Sequence, residues 1–246
     1  KADPTLVYYY KVEVGDSVER NEWQTVKHVL DLTCSAATDY VVYDRWNAMP
    51  EDAYLYSSAF TDCINHMQPQ PMQSTAYAKT LRLTVRAPQL REGQRLAVVG
   101  AQKALGEWNL DKALPMTLHN YCEWAVDIDA SLLGDDSIEF KLVVVNGSGL
   151  VMMWECGRNR NITLPQIMNG QTVVYSLDQA FFEIWNRKLA GTLVPVFSLR
   201  SKTSAGIGDF GDLKTMIDLM AKTGQRVLQL LPINDTTITH TWTDSY

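Results

Sequence analysis

The chain has 246 residues, 46% of them hydrophobic and 20% charged, and 22 Lys+Arg against 28 Asp+Glu leave a formal charge of −6. Such values describe an ordinary soluble globular protein of one large or two small domains, and exclude wholesale disorder, a collagen repeat or a coiled-coil rod. An acidic chain suits phosphate backbones poorly, which argues against nucleic acid, and no apolar run approaches the ~18–20 residues that cross a bilayer.

At the start, Lys1 stands where an initiator Met would, so the sequence reads as a piece of a longer protein. Tyr10-Lys11-Val12-Glu13-Val14, followed by Glu22-Trp23, mirrors Phe140-Lys141-Leu142-Val143-Val144, followed by Met153-Trp154. Tyr40-Val41-Val42-Tyr43 then answers Thr172-Val173-Val174-Tyr175. This pattern predicts an internal repeat whose first copy, residues 1–64, lacks its front half. Residues 65–78 are polar and Pro-bearing, the composition of a linker.

Residues 79–183 read as strands. Leu81, Leu83 and Val85 alternate with Arg82, Thr84 and Arg86, the period of a half-buried strand. Further strand-like runs follow at Arg95–Gly100, Cys122–Ile128, Ile138–Val145, Leu150–Trp154 and Gln171–Leu177, separated by turns such as Asn146-Gly147. Short strands with no helix between them predict a β-sandwich of immunoglobulin-like type.

Residues 184–246 change character. The apolar run Leu193–Leu199 precedes a Gly-rich loop, and Leu213, Met216, Ile217 and Met220 then mark one face of a helix over Asp212–Thr223. Asp209 or Asp212 serves as its N-cap and Gly224 as its stop. A second apolar strand, Val227–Ile233, completes a βαβ unit, the building block of parallel sheets.

The four cysteines (34, 63, 122 and 156) form no C-x-x-C pair and do not cluster with histidines, so no metal site is expected. They are too few for a disulfide scaffold and suit a reducing compartment. The loop Gly206-Ile207-Gly208-Asp209-Phe210-Gly211 spells a dinucleotide fingerprint, with Asp235 near the position of a ribose-binding acid. Six residues separate the loop from Leu199, however, and Asp209, Phe210 and Asp212 crowd the place of the phosphate. No cofactor is expected.

Two tryptophans border loop-forming or polar residues. Trp108 sits among Gly106, Asn109 and Asp111, and Trp154 precedes the polar run Glu155–Asn161. A tryptophan is commonly core, yet an indole beside amides and cations also suits a sugar, whose C–H face stacks on the ring while its hydroxyls take hydrogen bonds. Trp124, flanked by strand residues, fits the core better, and Tyr121 fits either role.

Leu105-Gly106-x-Trp108, Glu139-Phe140-Lys141 and Trp154-Glu155-x-x-x-Asn159-Arg160, in this order, resemble the starch-binding domain of carbohydrate-binding module family 20 over residues 79–178. The resemblance implies an α-glucan clamp of Trp108 and Trp154, with Lys141 and Asn159 supplying hydrogen bonds and Glu155 adjacent. It also implies a second sugar site built on two tyrosines, of which Tyr121 matches one while Glu92 stands at the other. In the half-repeat, Lys11 and Trp23 match, with Lys27-His28 in place of the Asn-Arg pair.

The tail resembles glycoside hydrolase family 77, the amylomaltase or 4-α-glucanotransferase family. The carrying residues are Val196-Phe197-Ser198-Leu199-Arg200-Ser201, Gly206–Leu213, Gln229–Thr236 and Trp242-x-Asp244-Ser245-Tyr246. The resemblance implies a (β/α)8 TIM barrel of which this sequence holds the first strand, helix and second strand. It implies a retaining transfer of α-1,4-glucan segments through a covalent glucosyl enzyme. No residue here matches the family's catalytic carboxylates, so no catalytic residue is assigned. Asn234, Asp235, Asp244, Ser245 and Tyr246 would leave the C-terminal end of the second barrel strand, where such sites are built, although Asp235 reads equally as a strand-end cap. The implied partners are starch, glycogen and malto-oligosaccharides, and the implied location is cytoplasmic. The competing expectation is a noncatalytic α-glucan-binding protein, which would have no reason to begin a parallel sheet.

Overall fold

Leu81, Leu83 and Val85 are fully enclosed, and the largest apolar cluster of the chain gathers around them. The computed structural model describes residues 4–33, 36–134, 136–183 and 189–233, and it forms two units, Lys1–Trp185 and Asn186–Tyr246. The first unit opens with β1 (Thr5–Tyr8), β2 (Lys11–Val14), β3 (Ser17–Asn21), β4 (His28–Asp31) and β5 (Asp39–Tyr43), followed by the single-turn helix α1 (Ser58–Thr61). It continues with β6 (Lys79–Arg86), β7 (Arg95–Gly100), β8 (Leu114–Pro115), β9 (Thr117–Asn120) and β10 (Glu123–Asp129). The last strands of this unit are β11 (Ser137–Val145), β12 (Val151–Trp154), β13 (Arg160–Thr163) and β14 (Gln171–Ser176).

Strands β5 to β14 make two five-stranded layers. One has the order β5-β14-β6-β10-β9; the other is β12-β11-β7-β8, with β13 also paired to β11. Leu96, Val98, Phe140, Leu142 and Val144 from the second layer meet Leu81, Leu83, Val126 and Ile128 from the first. Burying each such side chain stabilises the fold by ~1.5–3 kcal/mol, so this interleaving holds the sandwich together. Trp124 belongs to the same cluster. The short strands β8, β9 and β13 carry too few residues to announce themselves by alternation.

The expected half-burial of β6 does not hold, since Arg82 and Thr84 are buried as well. The upstream residues cover that outer face. The Arg82 guanidinium donates to Asp127 at 2.7 and 2.9 Å and to the Asp31 carbonyl at 3.2 Å. The upstream strands make two antiparallel pairs, β1 with β4 and β2 with β3, while β5 joins the edge of the larger sheet. There it runs parallel to β14, with Thr172 opposite Tyr40 and Tyr175 opposite Tyr43. The two stretches that match in sequence are thus neighbours in register, and Tyr43 stacks on Tyr175 at 5.9 Å.

Residues 65–78, expected as a linker, lie along the sandwich. The Met67 amide donates to the Thr61 carbonyl and the Gln70 amide to the Leu118 carbonyl, both at 2.7 Å.

The second unit holds β15 (Gly191–Val194), α2 (Phe210–Lys222) and β16 (Val227–Leu230). β15 and β16 pair in parallel from Gly191↔Val227 to Val194↔Leu230, which makes the expected strand–helix–strand unit. Pro195, lacking an N–H, ends β15 before the apolar run is over, and a 3-10 turn takes Val196–Ser198. Asp209 is the N-cap of α2. Its carboxylate accepts from the Gly211 and Asp212 amides at 2.7 and 3.0 Å, while Asp212 accepts from the Asp209 amide at 3.1 Å. These carboxylates take the amides a phosphate would need. Gly208 also passes so close to the Val196 carbonyl that a Cβ would sit 2.1 Å from that oxygen. The glycine loop therefore serves packing and capping. Hydrogen bonds from Ser201 and Ser204 hold the Asp212 carboxyl below its usual value. Asn234, Asp235, Asp244, Ser245 and Tyr246 lie outside the described residues.

Candidate functional site

Across an antiparallel pair, directly opposed residues project to the same side. Trp154 opposes Val143, Val143 opposes Ala97, and Lys141 opposes Val99. Ala97, Val99, Val143 and Val145 form a small cluster on the outer face of this sheet, and Trp108 packs against it. Trp108, Lys141 and Trp154 therefore share one face. Trp154 is 42% exposed and Trp108 half-buried.

The loop carrying Trp108 has an unusual backbone. Gly106, Glu107 and Trp108 are all left-handed, with φ of 85°, 53° and 60°. Glycine is needed at 106, where a Cβ would also approach the Lys112 carbonyl to 2.9 Å. Left-handed Glu107 and Trp108 cost ~1–3 kcal/mol each, strain of a kind that clusters at functional sites. The turn is held by the Trp108 amide donating to the Gly100 carbonyl at 2.8 Å and by Asn109 accepting from the Asp111 amide at 3.0 Å.

Polar groups complete the face. The Lys141 ammonium donates to the Gly157 carbonyl at 2.6 Å, and the Asn159 amide donates to Glu139 at 2.8 Å. Glu139, two residues before Lys141 on β11, was given no role from sequence, although period-two spacing puts it on the same side. Two indoles with an ammonium and an amide nearby offer flat apolar surface and directional donors to a polyol.

The other residues named from sequence have different employment. Glu155 is a correction: it is buried, and its carboxylate is engaged by the Arg160 Nε at 3.0 and 3.1 Å, so it holds β13 rather than a ligand. Tyr121 is held inward, donating to the Tyr56 carbonyl and lying 3.2 Å from the Thr61 hydroxyl. Trp23 packs edge-on against Tyr56 at 5.0 Å in a cluster with Val26 and Cys122. Lys11 pairs with Glu13 on an exposed hairpin. Trp23 and Tyr121, both half-buried, pack against the same cluster of Val26, Tyr56 and Cys122.

Sequence reasoning also missed a buried polar cluster under the upstream strands. His28 Nε2 lies 3.1 Å from Glu22, His28 Nδ1 lies 3.5 Å from Asp44, and Asp44 accepts from Tyr8 and Tyr10 at 2.6 and 2.9 Å. Asn47, Arg86 and Glu123 border the same space. Burial pulls the His28 imidazole down, but its hydrogen bonds with Asp44 and Glu22 prevail and raise it above the usual value. Burial likewise opposes Asp44, yet hydrogen bonds from His28, Tyr8 and Tyr10 bring it to about 2. Charged His28 thus contributes stability that is complete below ~6.5, the ordinary histidine value, and fades as pH rises through its raised pKa. The Asp44 contribution is complete above ~4 and fades as pH falls toward 2. Urea midpoints are expected to fall from pH 5.5 to pH 8.5, and His28→Gln should flatten that slope.

Among the described residues no helix is long and apolar enough to cross a membrane, and no group of three or more His, Cys, Asp or Glu side chains could hold a metal ion. The family model described as starch binding domain matches residues 79–174, and that described as 4-alpha-glucanotransferase matches residues 194–246. The 4-alpha-glucanotransferase DPE2 of Oryza sativa subsp. japonica is 30% identical over 254 residues, covering 97% of this chain and 26% of that protein. A 4-alpha-glucanotransferase of Chlamydia trachomatis serovar D is 48% identical over 77 residues, covering 30% of this chain and 14% of its own length. A Thermophilic beta-amylase of Thermoanaerobacterium thermosulfurigenes is 35% identical over 83 residues, covering 33% of this chain and 14% of that enzyme. The chain spans about a quarter or less of the length of these relatives.

Proposed function

We propose that this chain belongs to a 4-α-glucanotransferase and supplies its α-glucan-binding region, with Trp108 and Trp154 as the sugar platform and Lys141 and Asn159 as donors. The observation that carries this reading is the placement of both indoles and the Lys141 ammonium on one outer sheet face. A helical glucan presents C–H faces and hydroxyls in alternation, and such a face answers both. Residues 79–183 are then a starch-binding sandwich, 1–64 the C-terminal half of a related module, and 184–246 the beginning of the transferase barrel, with Asn234, Asp235, Asp244, Ser245 and Tyr246 at its glucan cleft. None of these 246 residues is assigned a catalytic role.

The reaction of the whole protein is transfer of α-1,4-glucan segments with retention, a carboxylate nucleophile and a second carboxyl working in sequence as acid and base. Holding the polymer on the sandwich raises the effective concentration of chain ends at the barrel. Glycogen, starch and malto-oligosaccharides are the substrates this arrangement fits. A cytoplasmic location agrees with the unpaired Cys63, Cys122 and Cys156.

Affinity electrophoresis tests the binding. The unmodified chain should be retarded in gels containing amylopectin or glycogen, and a Trp108→Ala/Trp154→Ala variant should lose most of that retardation. Equal retardation of both would overturn the assignment.

A further inference from the structure

A cleft of about 330 Å³ opens at the layer that holds β6, β10 and β14. Its walls come from three stretches distant in sequence: Trp46 and Asn47 upstream, Arg86 and Glu123 at the ends of β6 and β10, and Gln179 and Phe181 beyond β14. Its volume stands at the low end of the ~300–1,000 Å³ common for small-molecule sites.

The polar groups of the cleft are fixed before any ligand arrives. Asn47, 7% exposed, accepts from Arg86 at 2.7 Å through its amide oxygen and donates to the Val26 carbonyl at 3.2 Å. Gln179 accepts from the Tyr56 hydroxyl at 2.9 Å and donates to Asp52 at 2.7 Å. The aromatic groups are held differently. The Arg20 guanidinium lies 4.4 Å over the Trp46 ring, whereas Phe181 is 55% exposed although its backbone carbonyl is tied to the Cys156 amide at 2.8 Å.

Charge selects the ligand class. The three cationic side chains that line this cleft each have an acid beside them: Arg45 with Asp178 at 2.7 Å, Arg86 with Glu123 at 3.9 Å, and His28 with Glu22 and Asp44 at 3.1 and 3.5 Å. A phosphate or carboxylate would find its countercharge already neutralised, and a cation would meet the same obstacle. A neutral molecule rich in hydroxyls meets neither. Its hydroxyls find preset planar amide, guanidinium and carboxylate groups, and its C–H faces find Trp46 and Phe181.

We infer that this cleft is a separate binding site for a short, neutral stretch of α-glucan, one or two sugar rings long, independent of the Trp108/Trp154 face. The choice of glucan among neutral polyols rests on the function proposed above. The site exists only because the upstream segment is seated on the sandwich.

Calorimetric titration of the whole chain with maltotriose tests this. The unmodified chain should bind two equivalents, and Phe181→Ala should reduce that to one of unchanged affinity. Trp108→Ala/Trp154→Ala should keep one weak equivalent, lost when Phe181→Ala or Trp46→Ala is added. Phe181 is largely exposed, so its variant should melt as the unmodified chain does. A single equivalent that vanishes with the two sheet-face tryptophans overturns this site and leaves the proposed function standing. Residual binding indifferent to Phe181 and Trp46 overturns it as well, and so does tighter binding of glucose 1-phosphate than of maltotriose at the residual site. No binding by the unmodified chain would overturn both readings.

Discussion

Trp154→Ala should weaken maltoheptaose binding to the outer sheet face by about 30-fold or more, with thermal unfolding left in place. A central aromatic in a binding face is typically worth ~2 kcal/mol or more, and every 1.4 kcal/mol is tenfold in Kd. The split between affinity and stability follows from geometry. Trp154 ends β12 with 42% of its surface exposed, so its removal opens no cavity. Trp108 differs, because its ring also covers Ala97, Val99, Val143 and Val145. Trp108→Ala should therefore lose comparable affinity and also lower the melting temperature. Titration of each variant beside its melting curve decides the matter. Equal loss of stability in both variants, or unchanged affinity of Trp154→Ala, would show that these rings are packing and not platform.

The largest stability effect should come from Arg82→Met. The Arg82 and Asp127 side chains are 3% and 2% exposed and are joined through two hydrogen bonds. Removing the guanidinium leaves Asp127 with the Thr75 hydroxyl at 3.2 Å and no countercharge in that pairing. Breaking a buried pair by deleting one partner costs ~3–5 kcal/mol, whereas replacing both with apolar groups is often near neutral. Urea unfolding should show that loss for Arg82→Met and its recovery in Arg82→Met/Asp127→Leu. A single variant within ~0.5 kcal/mol of the parent, the range of ordinary surface changes, would mean that the pair is solvated.

Local patterns account for much of what was legible. The alternation of Leu81, Leu83 and Val85, the helical spacing of Leu213, Met216, Ile217 and Met220, and the turn glycines each report the period of their own element. α2 begins at Phe210 rather than Asp212 because Asp209 supplies the cap, an alternative the sequence left open. Trp108 and Trp154 were conspicuous as large aromatics in polar surroundings. Glu155, equally conspicuous beside Trp154, turned inward because Arg160 comes within reach only when β13 pairs with β11. Tyr121 was readable as core or platform, and its partners Tyr56 and Thr61 lie 65 and 60 residues upstream.

Sequence by itself determined the strand and helix periods, the turns between them and the identity of the aromatic and cationic groups available for sugar, since each depends on near neighbours along the chain. Tertiary structure alone decided that β5 would extend the sandwich sheet beside β14, that the outer face of β6 would be covered, and that His28 would be enclosed between two acids. Those outcomes depend on pairing and ion contacts between segments far apart in sequence, and neither local propensity nor periodicity records which distant surface a strand edge or a buried charge will meet.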